Sequence, residues 1–288
     1  MPIPIPEALE ESAALARTKA QQVRLLPRYL ASSALAGAYV GVAVVLLLSV
    51  AGPLAASGSV ATKLVQGVVF GVALILVVFA GAELFTGNVM YMLQGLSART
   101  VRMGQLAAVW VASLVGNLVG SVAFAALVHG GGTLALGAKP GQPAPGEAMV
   151  TAIVSSKNAA SGSQLFWRSV LCNLLVCLGL WMAGRTRSDA AKLVVLWWAL
   201  LAFIASGFEH SVANMTIFGL GVFEGSASWS DLTRNLAWTV PGNVVGGGLL
   251  VGLAYSWIGR PARPVTAAPE PIPEPAVDMP LGELARQS

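Results

Sequence analysis

Six long apolar stretches divide this chain of 288 residues, and they restrict it to folds in which helices are surrounded by lipid. About 20 residues of α-helix cross the hydrocarbon core of a bilayer, and every stretch reaches or nearly reaches that length. Only 10% of the residues are charged, whereas soluble domains carry about 25%. The predicted fold class is an all-α membrane protein with six transmembrane helices. The stretches are residues 29–50, 64–98, 103–127, 166–184, 193–223 and 235–257.

Basic residues alternate between the two sides of these predicted spans. Most of the 17 Lys and Arg residues lie in the N-terminal tail, in the turns after the second and fourth stretches, and in the C-terminal tail. Six spans put all four segments on one side, and the positive-inside rule assigns that side to the cytoplasm. We therefore expect a multi-pass protein of the cytoplasmic membrane with both termini in the cytoplasm. The net charge of +4 is then a topology signal and does not predict a nucleic-acid partner.

Composition divides the chain into three parts. Residues 1–28 mix acidic and basic side chains and predict a cytoplasmic N-terminal amphipathic segment. Residues 29–258 contain the six apolar stretches and predict the transmembrane domain. Residues 259–288 are rich in Pro, Ala and Glu, a composition typical of a disordered cytoplasmic tail.

The second and fifth stretches are too long for one span, and each carries a polar interruption. These interruptions are GAELFTGN at 81–88 and GFEHSVAN at 207–214, and both read Gly-x-Glu-x-x-x-x-Asn. The motifs GNLVG, from Gly116, and GNVVG, from Gly242, are separated by the same interval. The copies are offset by three spans and therefore run in opposite directions through the membrane, so we expect an inverted 3+3 repeat in which helices two and five are broken. Broken helices at matching positions indicate a substrate path near the membrane midplane.

The side chains of the two interruptions are expensive in lipid. A charge at the bilayer centre costs at least about 2.5 kcal/mol, so we expect these groups to face the protein interior or a pore. Glu83 and Glu209 are expected to brace the freed backbone of each break. His210 changes its charge near neutral pH and can hydrogen-bond or protonate a small anion such as nitrite or formate. Thr86 and Asn214 offer a hydroxyl and an amide that can orient this anion.

The surrounding sequence predicts the roles of several other side chains. Cys172 and Cys177 lie in one apolar stretch and are expected to be small buried side chains. The local sequence SSKNAASGSQ predicts that Lys157 is a solvated loop lysine. Nothing in the spacing of His129 and His210 predicts a metal or a haem cofactor. An aquaporin-type channel would need two Asn-Pro-Ala motifs, which this chain lacks. A membrane enzyme or haem protein would need paired histidines or other ligands inside the spans, and His210 is the only histidine deep in one, so an enzyme is not expected.

Longer motifs carry a family resemblance. The segments GAELFTGN, LCNLLVCLGLW and FIASGFEHSVANMT resemble the formate/nitrite transporter family, and SSALAGAYVG and LVGNLVGSV look closest to its nitrite channel branch. The resemblance covers roughly residues 10–258. It implies an aquaporin-like six-helix protomer with helices two and five broken, a homopentamer in membrane lipid, and one pore in each protomer. The implied activity is transport of nitrite, with formate, hydrosulfide or acetate as alternatives.

The resemblance also implies site residues. The central histidine of the family falls on His210, and its vestibule lysine falls on Lys157. The remaining implied pathway residues are Thr86, Asn173, Glu209 and Asn214, and the implied constriction residues are Phe70, Leu74, Phe85 and Phe203.

Overall fold

The computed structural model describes residues 1–260. Nearly all of the expected Pro-rich tail, residues 261–288, lies outside the described residues. Residues 1–260 are helical and contain no β-strand.

The first half of the chain forms six helices. The short α1 precedes the first apolar stretch, and the second stretch is divided among three helices. These helices are α1 Ile5–Gln22, α2 Leu26–Ala56, α3 Thr62–Phe70, α4 Val72–Phe79, α5 Phe85–Ser97 and α6 Met103–Gly130.

The second half repeats much of this order. The fifth stretch is divided into two helices, and the sixth contains a π-helical segment, Val244–Leu253, between two α-helical parts. These helices are α7 Pro145–Ala159, α8 Gly162–Gly184, α9 Asp189–Ala205, α10 Ser211–Phe223, α11 Trp229–Asn243 and α12 Ala254–Ile258.

Five of these segments are long and apolar enough to cross a membrane, counted over residues 1–260. The fifth predicted span is not among them, because it is built from α9 and the shorter apolar helix α10. The five segments are Leu26–Ala56, Thr62–Phe79, Met103–Gly130, Gly162–Gly184 and Trp229–Ile258.

Both long stretches break at the predicted polar motifs. Gly81 (φ +75°) and Gly207 (φ +72°) adopt the left-handed conformation that terminates many helices. The amide two residues beyond each helix cap then donates back to the preceding turn, from Ala82 to the carbonyl of Val77 at 2.9 Å and from Phe208 to that of Phe203 at 3.0 Å. The prediction that these two helices are broken is confirmed.

Small residues let the helices around the two breaks pack closely, α6 against α2 and the π-helical segment against α8. A Cβ atom at Gly120 of α6 would lie 1.8 Å from the carbonyl oxygen of Ala34 in α2. A Cβ at Gly246 would lie 2.0 Å from the carbonyl oxygen of Val170 in α8. Contacts of this kind are typical of helix packing in membranes, where association depends on close van der Waals contact. They fix the frame that holds the broken helices.

One interpretation from the sequence was wrong. Lys157 is not in a solvated loop but in the last turn of α7, a helix that no apolar stretch predicted. Pro145 occupies the first turn, and Glu147 accepts a hydrogen bond from the amide of Ala144, so the helix has a defined start. Its buried face includes Val150. Burial of that amphipathic face, rather than a long apolar run, stabilises α7.

Candidate functional site

The two polar motifs meet at one contact. The hydroxyl Oγ1 of Thr86 lies 3.1 Å from Nε2 of His210, and both residues are buried. Thr86 is the second residue of α5, and His210 immediately precedes α10. The two helix breaks therefore bring the starts of α5 and α10 together inside the protein.

The other ring nitrogen of His210 defines the direction of this hydrogen bond. Nδ1 accepts from the backbone amide of Ala213 at 3.1 Å and so caps the N-terminus of α10. A backbone amide can only donate, so Nδ1 carries no proton and Nε2 carries the proton of the neutral ring. Nε2 therefore donates to Thr86 Oγ1. The hydroxyl hydrogen of Thr86 is then available for a further acceptor.

The backbone of Thr86 is held by two side chains of α8. Asn173 Nδ2 donates to the Thr86 carbonyl at 3.1 Å, and the Cys177 thiol donates to the same oxygen at 3.3 Å. The π-helical segment packs directly behind this pair, because a Cβ at Gly247 would lie 2.3 Å from Asn173 Nδ2 and 2.5 Å from Cys177 Sγ. Cys177 is fully buried, as predicted, but its hydrogen bond was missed. Its helical i, i+4 spacing with Asn173 was the available signal.

Glu209 braces the second break. Its Oε2 accepts from Lys157 Nζ at 2.7 Å and from Asn214 Nδ2 at 2.7 Å. The amide nitrogen of Asn214 also donates to Asn235 Oδ1 at 2.8 Å. Only 12% of the Lys157 side chain and 5% of the Glu209 side chain are exposed, so this ion pair is largely removed from solvent.

Glu83 braces the first break through an equivalent set of partners. Lys19 Nζ of α1 lies 2.8 and 2.7 Å from the two carboxylate oxygens. Tyr29 and Asn88 each donate to Oε2 at 3.0 Å. Lys19 was not singled out in the sequence, where it looks like any basic residue of a charged N-terminal segment. The sequence predicted that both motif glutamates satisfy freed backbone donors, but the carboxylates accept hydrogen bonds from lysine, tyrosine and asparagine side chains instead.

Asn117, of the GNLVG motif, clamps the first break. Its Oδ1 accepts from the amide of Phe85 at 2.9 Å, while its Nδ2 donates to the carbonyls of Ser33 at 2.7 Å and Glu83 at 2.9 Å. The clamp thus joins α2, α6 and the start of α5.

Asn243, of the GNVVG motif, does the same at the second break. Its Oδ1 accepts from the amide of Ser211 at 2.9 Å, and its Nδ2 donates to the carbonyls of Ser169 at 2.8 Å and Glu209 at 3.1 Å. In the sequence, these two motifs indicated a duplication, and their asparagines were not predicted to be part of the site.

Apolar rings flank the polar contact on one side. The ring of Phe203 stacks on His210 with 5.8 Å between centroids and 19° between planes, and Phe70 meets Phe203 edge-on at 5.8 Å. The predicted constriction residues Leu74 and Phe85 are also buried. Of the four, Phe203 stacks on the histidine itself, and Phe70 is connected to the histidine through Phe203.

An open cavity of about 960 Å³ leads to the Lys157–Glu209 pair. Its lining also includes Lys63 and Arg168, so three basic residues and one acidic residue contribute charge to its wall. Lys63 and Arg168 were not among the site residues predicted from the sequence. The sequence feature that could have revealed them is their position outside the four basic segments assigned to the cytoplasm. Among residues 1–260, no group of His, Cys, Asp and Glu side chains is arranged to hold a metal ion.

These features define a helical membrane transport protein. It has apolar helices, two of them interrupted, and a buried hydroxyl–imidazole contact beside a basic cavity. A sequence model described as "Formate/nitrite transporter" matches residues 6–257. The chain belongs to the formate/nitrite transporter family. It is therefore a multi-pass membrane protein of a family of transporters and channels, not of enzymes.

Individual proteins support this assignment. The chain is 42% identical over 249 residues to "Nitrite transporter NirC" of Salmonella typhimurium, covering 85% of this chain and 87% of that protein. A solved structure named "FNT family ion channel" superimposes with a TM-score of 0.80 at 40% identity and covers 88% of this chain and 99% of its own. Another, "Pentameric formate channel with formate bound", gives a TM-score of 0.66 at 25% identity and covers 82% and 98%.

Proposed function

We propose that this protein carries nitrite across the cytoplasmic membrane through a pore in each protomer that passes the Thr86–His210 contact. The observation that carries the proposal is the 3.1 Å distance between Thr86 Oγ1 and His210 Nε2, which joins the two broken helices inside the protein. The similarity to a nitrite transporter supports nitrite as the substrate.

The basic cavity is proposed as the outer vestibule. Lys63, Lys157 and Arg168 give its wall a net positive charge, even though Glu209 pairs with Lys157. A cleft lined by one sign of charge raises the local concentration of the opposite ion and speeds its association. An anion would collect there before it loses water.

At the centre, the anion would exchange water for protein donors. Removing an anion from water is costly unless hydrogen bonds replace the lost hydration. Because His210 Nε2 donates to Thr86, the Thr86 hydroxyl can donate its own hydrogen to the anion. A second proton on His210 would have to occupy Nδ1, which would break the cap on the amide of Ala213. We therefore propose that the neutral ring acts first as a hydrogen-bond donor, and that proton transfer to the anion requires release of this cap.

The proposed membrane topology has six spans, with α9 and α10 together forming the fifth. The similar clamps made by Asn117 and Asn243 support an inverted 3+3 repeat. We propose that residues 29–258 form the channel domain, that residues 1–28 form a cytoplasmic segment, and that both termini are cytoplasmic. A homopentamer is proposed from the similarity to a pentameric channel.

Formate is the second candidate, because a structural relative is named as a channel with formate bound. Nitrite and formate are both small monovalent anions, and the Thr86–His210 contact offers each of them the same donor. The two candidates are separated by flux measurements with nitrite alone, formate alone and both together.

The proposed function is tested by measuring nitrite uptake into proteoliposomes at several pH values. Thr86→Val removes the hydroxyl but keeps the shape, and Thr86→Ser is the matched control that retains it. We expect nitrite flux through the valine variant to fall at least about tenfold, because one hydrogen bond to the anion is lost. The serine variant should keep most of the wild-type flux. Unchanged nitrite flux in Thr86→Val would refute a pathway past this contact. If the protein transports formate but not nitrite, formate would take the place of nitrite as the proposed substrate.

A further inference from the structure

A pocket of about 650 Å³ lies at the turn between α5 and α6, apart from the residues of the proposed pathway. We call it the arginine pocket, because Arg24, Arg99 and Arg102 are among its lining residues. Thr100, Gly104 and Gln105 complete its polar lining, and no acidic residue is part of it.

The three guanidinium groups make no hydrogen bond or ion pair with any other part of residues 1–260. The basic residues around the start of α9 differ. Arg187, just before this helix, pairs with Glu11, and Lys192 Nζ, within its first turn, lies 3.0 Å from Asp189. The positive-inside rule accounts for basic residues in both turns. It does not account for three unpartnered arginines around one concavity.

Arg99 adds an independent feature. It is the only non-glycine residue with a positive φ (59°) within residues 1–260. It directly follows the cap residue Ala98 of α5, a position that glycine usually occupies because a Cβ atom is strained there. The chain therefore keeps an arginine at a position where glycine would fit the backbone better.

The start of α6 forms the remaining wall. The first amides of an α-helix have no carbonyl partner within the helix, and they give its N-terminus a positive potential. Gly104 leaves this end open, since no atom lies within 4 Å of the place where its Cβ would be. Three arginines and the first residues of α6 thus line one accessible space.

We propose that the arginine pocket binds a phosphate group, carried by the headgroup of an anionic phospholipid or present as free phosphate. Guanidinium groups match the geometry of phosphate oxygens and donate to them in pairs. Basic pockets at the cytoplasmic end of transmembrane helices are also suited to anionic headgroups. The proposal does not depend on which anion the pore carries.

The test compares phosphatidylglycerol, phosphatidylcholine and inorganic phosphate as ligands of the purified full-length protein. Native mass spectrometry measures lipid binding, and calorimetry measures phosphate binding. The pocket variant combines Arg99→Gly with Arg102→Gln, since glycine accepts the backbone conformation at residue 99. The control variant combines Arg187→Gln with Lys192→Gln and removes the same charge from the other turn. A thermal unfolding scan checks that both variants are folded.

We expect the wild type to prefer phosphatidylglycerol over phosphatidylcholine and the pocket variant to bind it at least about tenfold more weakly, since each lost charged hydrogen bond is worth about that factor. The control variant should remain within about twofold, as surface changes usually do. Arginine-dependent binding of inorganic phosphate without a lipid preference would support the site and identify free phosphate as the source. Equal binding by the pocket and control variants, with both ligands, would overturn the proposal.

Discussion

Asn117 and Asn243 make the same three contacts at the two helix breaks. Each accepts from the amide that begins a half-helix, Phe85 or Ser211, and each donates to the carbonyl of the preceding motif glutamate and to a carbonyl of a neighbouring helix. Each asparagine thereby satisfies polar backbone groups that the break leaves without helical partners. Buried groups of this kind are costly when unpaired.

Replacement of Asn117 by alanine should destabilise the protein strongly. The change leaves one amide and two carbonyls buried without their partner, and each such group costs about 1–3 kcal/mol. We expect a loss of at least about 3 kcal/mol in the free energy of unfolding, measured by unfolding in a denaturing detergent. Val115→Ala changes a half-exposed residue of the same helix, α6, and should lose less than about 1 kcal/mol. Similar losses in both variants would argue against the clamp.

The left-handed backbone at Gly207 makes a separate stability prediction. Gly207→Ala places a Cβ at φ +72°, a conformation that costs a non-glycine residue roughly 1–2 kcal/mol. Thermal unfolding should therefore occur at a lower temperature. Gly130→Ala, at the end of α6 and without a neighbour within 4 Å of the new Cβ, should be neutral or slightly stabilising. A Gly207→Ala variant as stable as the wild type would mean that the break can adopt another backbone conformation.

The Lys157–Glu209 pair should behave as a coupled unit. Lys157→Met leaves the buried carboxylate of Glu209 without its cation, and the loss of one partner of a buried pair typically costs about 3 kcal/mol. Glu209→Gln alone should also destabilise. The double variant should be more stable than the sum of the two single losses predicts, with a coupling of about 0.5–3 kcal/mol. Additive losses in a double-mutant cycle would show that the two residues do not interact energetically.

Cys177 is predicted to be a positioning residue for Thr86. Cys177→Val removes the thiol donor to the Thr86 carbonyl, while the Asn173 donor remains. We expect maximal anion flux to fall about threefold, consistent with one weak hydrogen bond of about 0.5–1 kcal/mol, with the half-saturating concentration nearly unchanged. Cys177→Ser restores a donor and should recover most of the flux. If serine and valine variants transport equally, the thiol has only a packing role.

Much of the architecture was predictable from local sequence. Length and apolar character predicted the spans, and the excess length of two stretches, together with Gly81 and Gly207, predicted the helix breaks that the structure contains. These features depend on residues close together in the chain, and the constraint of satisfying backbone groups in lipid acts on each span separately.

The contacts within the site could not be predicted from local sequence. Thr86 and His210 are 124 residues apart, Lys19 and Glu83 are 64 apart, and Lys157 and Glu209 are 52 apart. Lys157 looked like a loop residue because α7 is stabilised by packing its amphipathic face, which a single sequence does not reveal.

The amino-acid sequence by itself determined that this chain crosses a membrane, where its helices break and which polar residues lie at the breaks. Only the tertiary structure decided which of these residues touch: that His210 donates to Thr86, that Cys177 and Asn173 share the Thr86 carbonyl, and that two lysines pair with the two glutamates. The reason is physical. A helix break depends on local backbone conformation and length, whereas a hydrogen bond across helices depends on how several small-residue interfaces bring distant side chains to within about 3 Å.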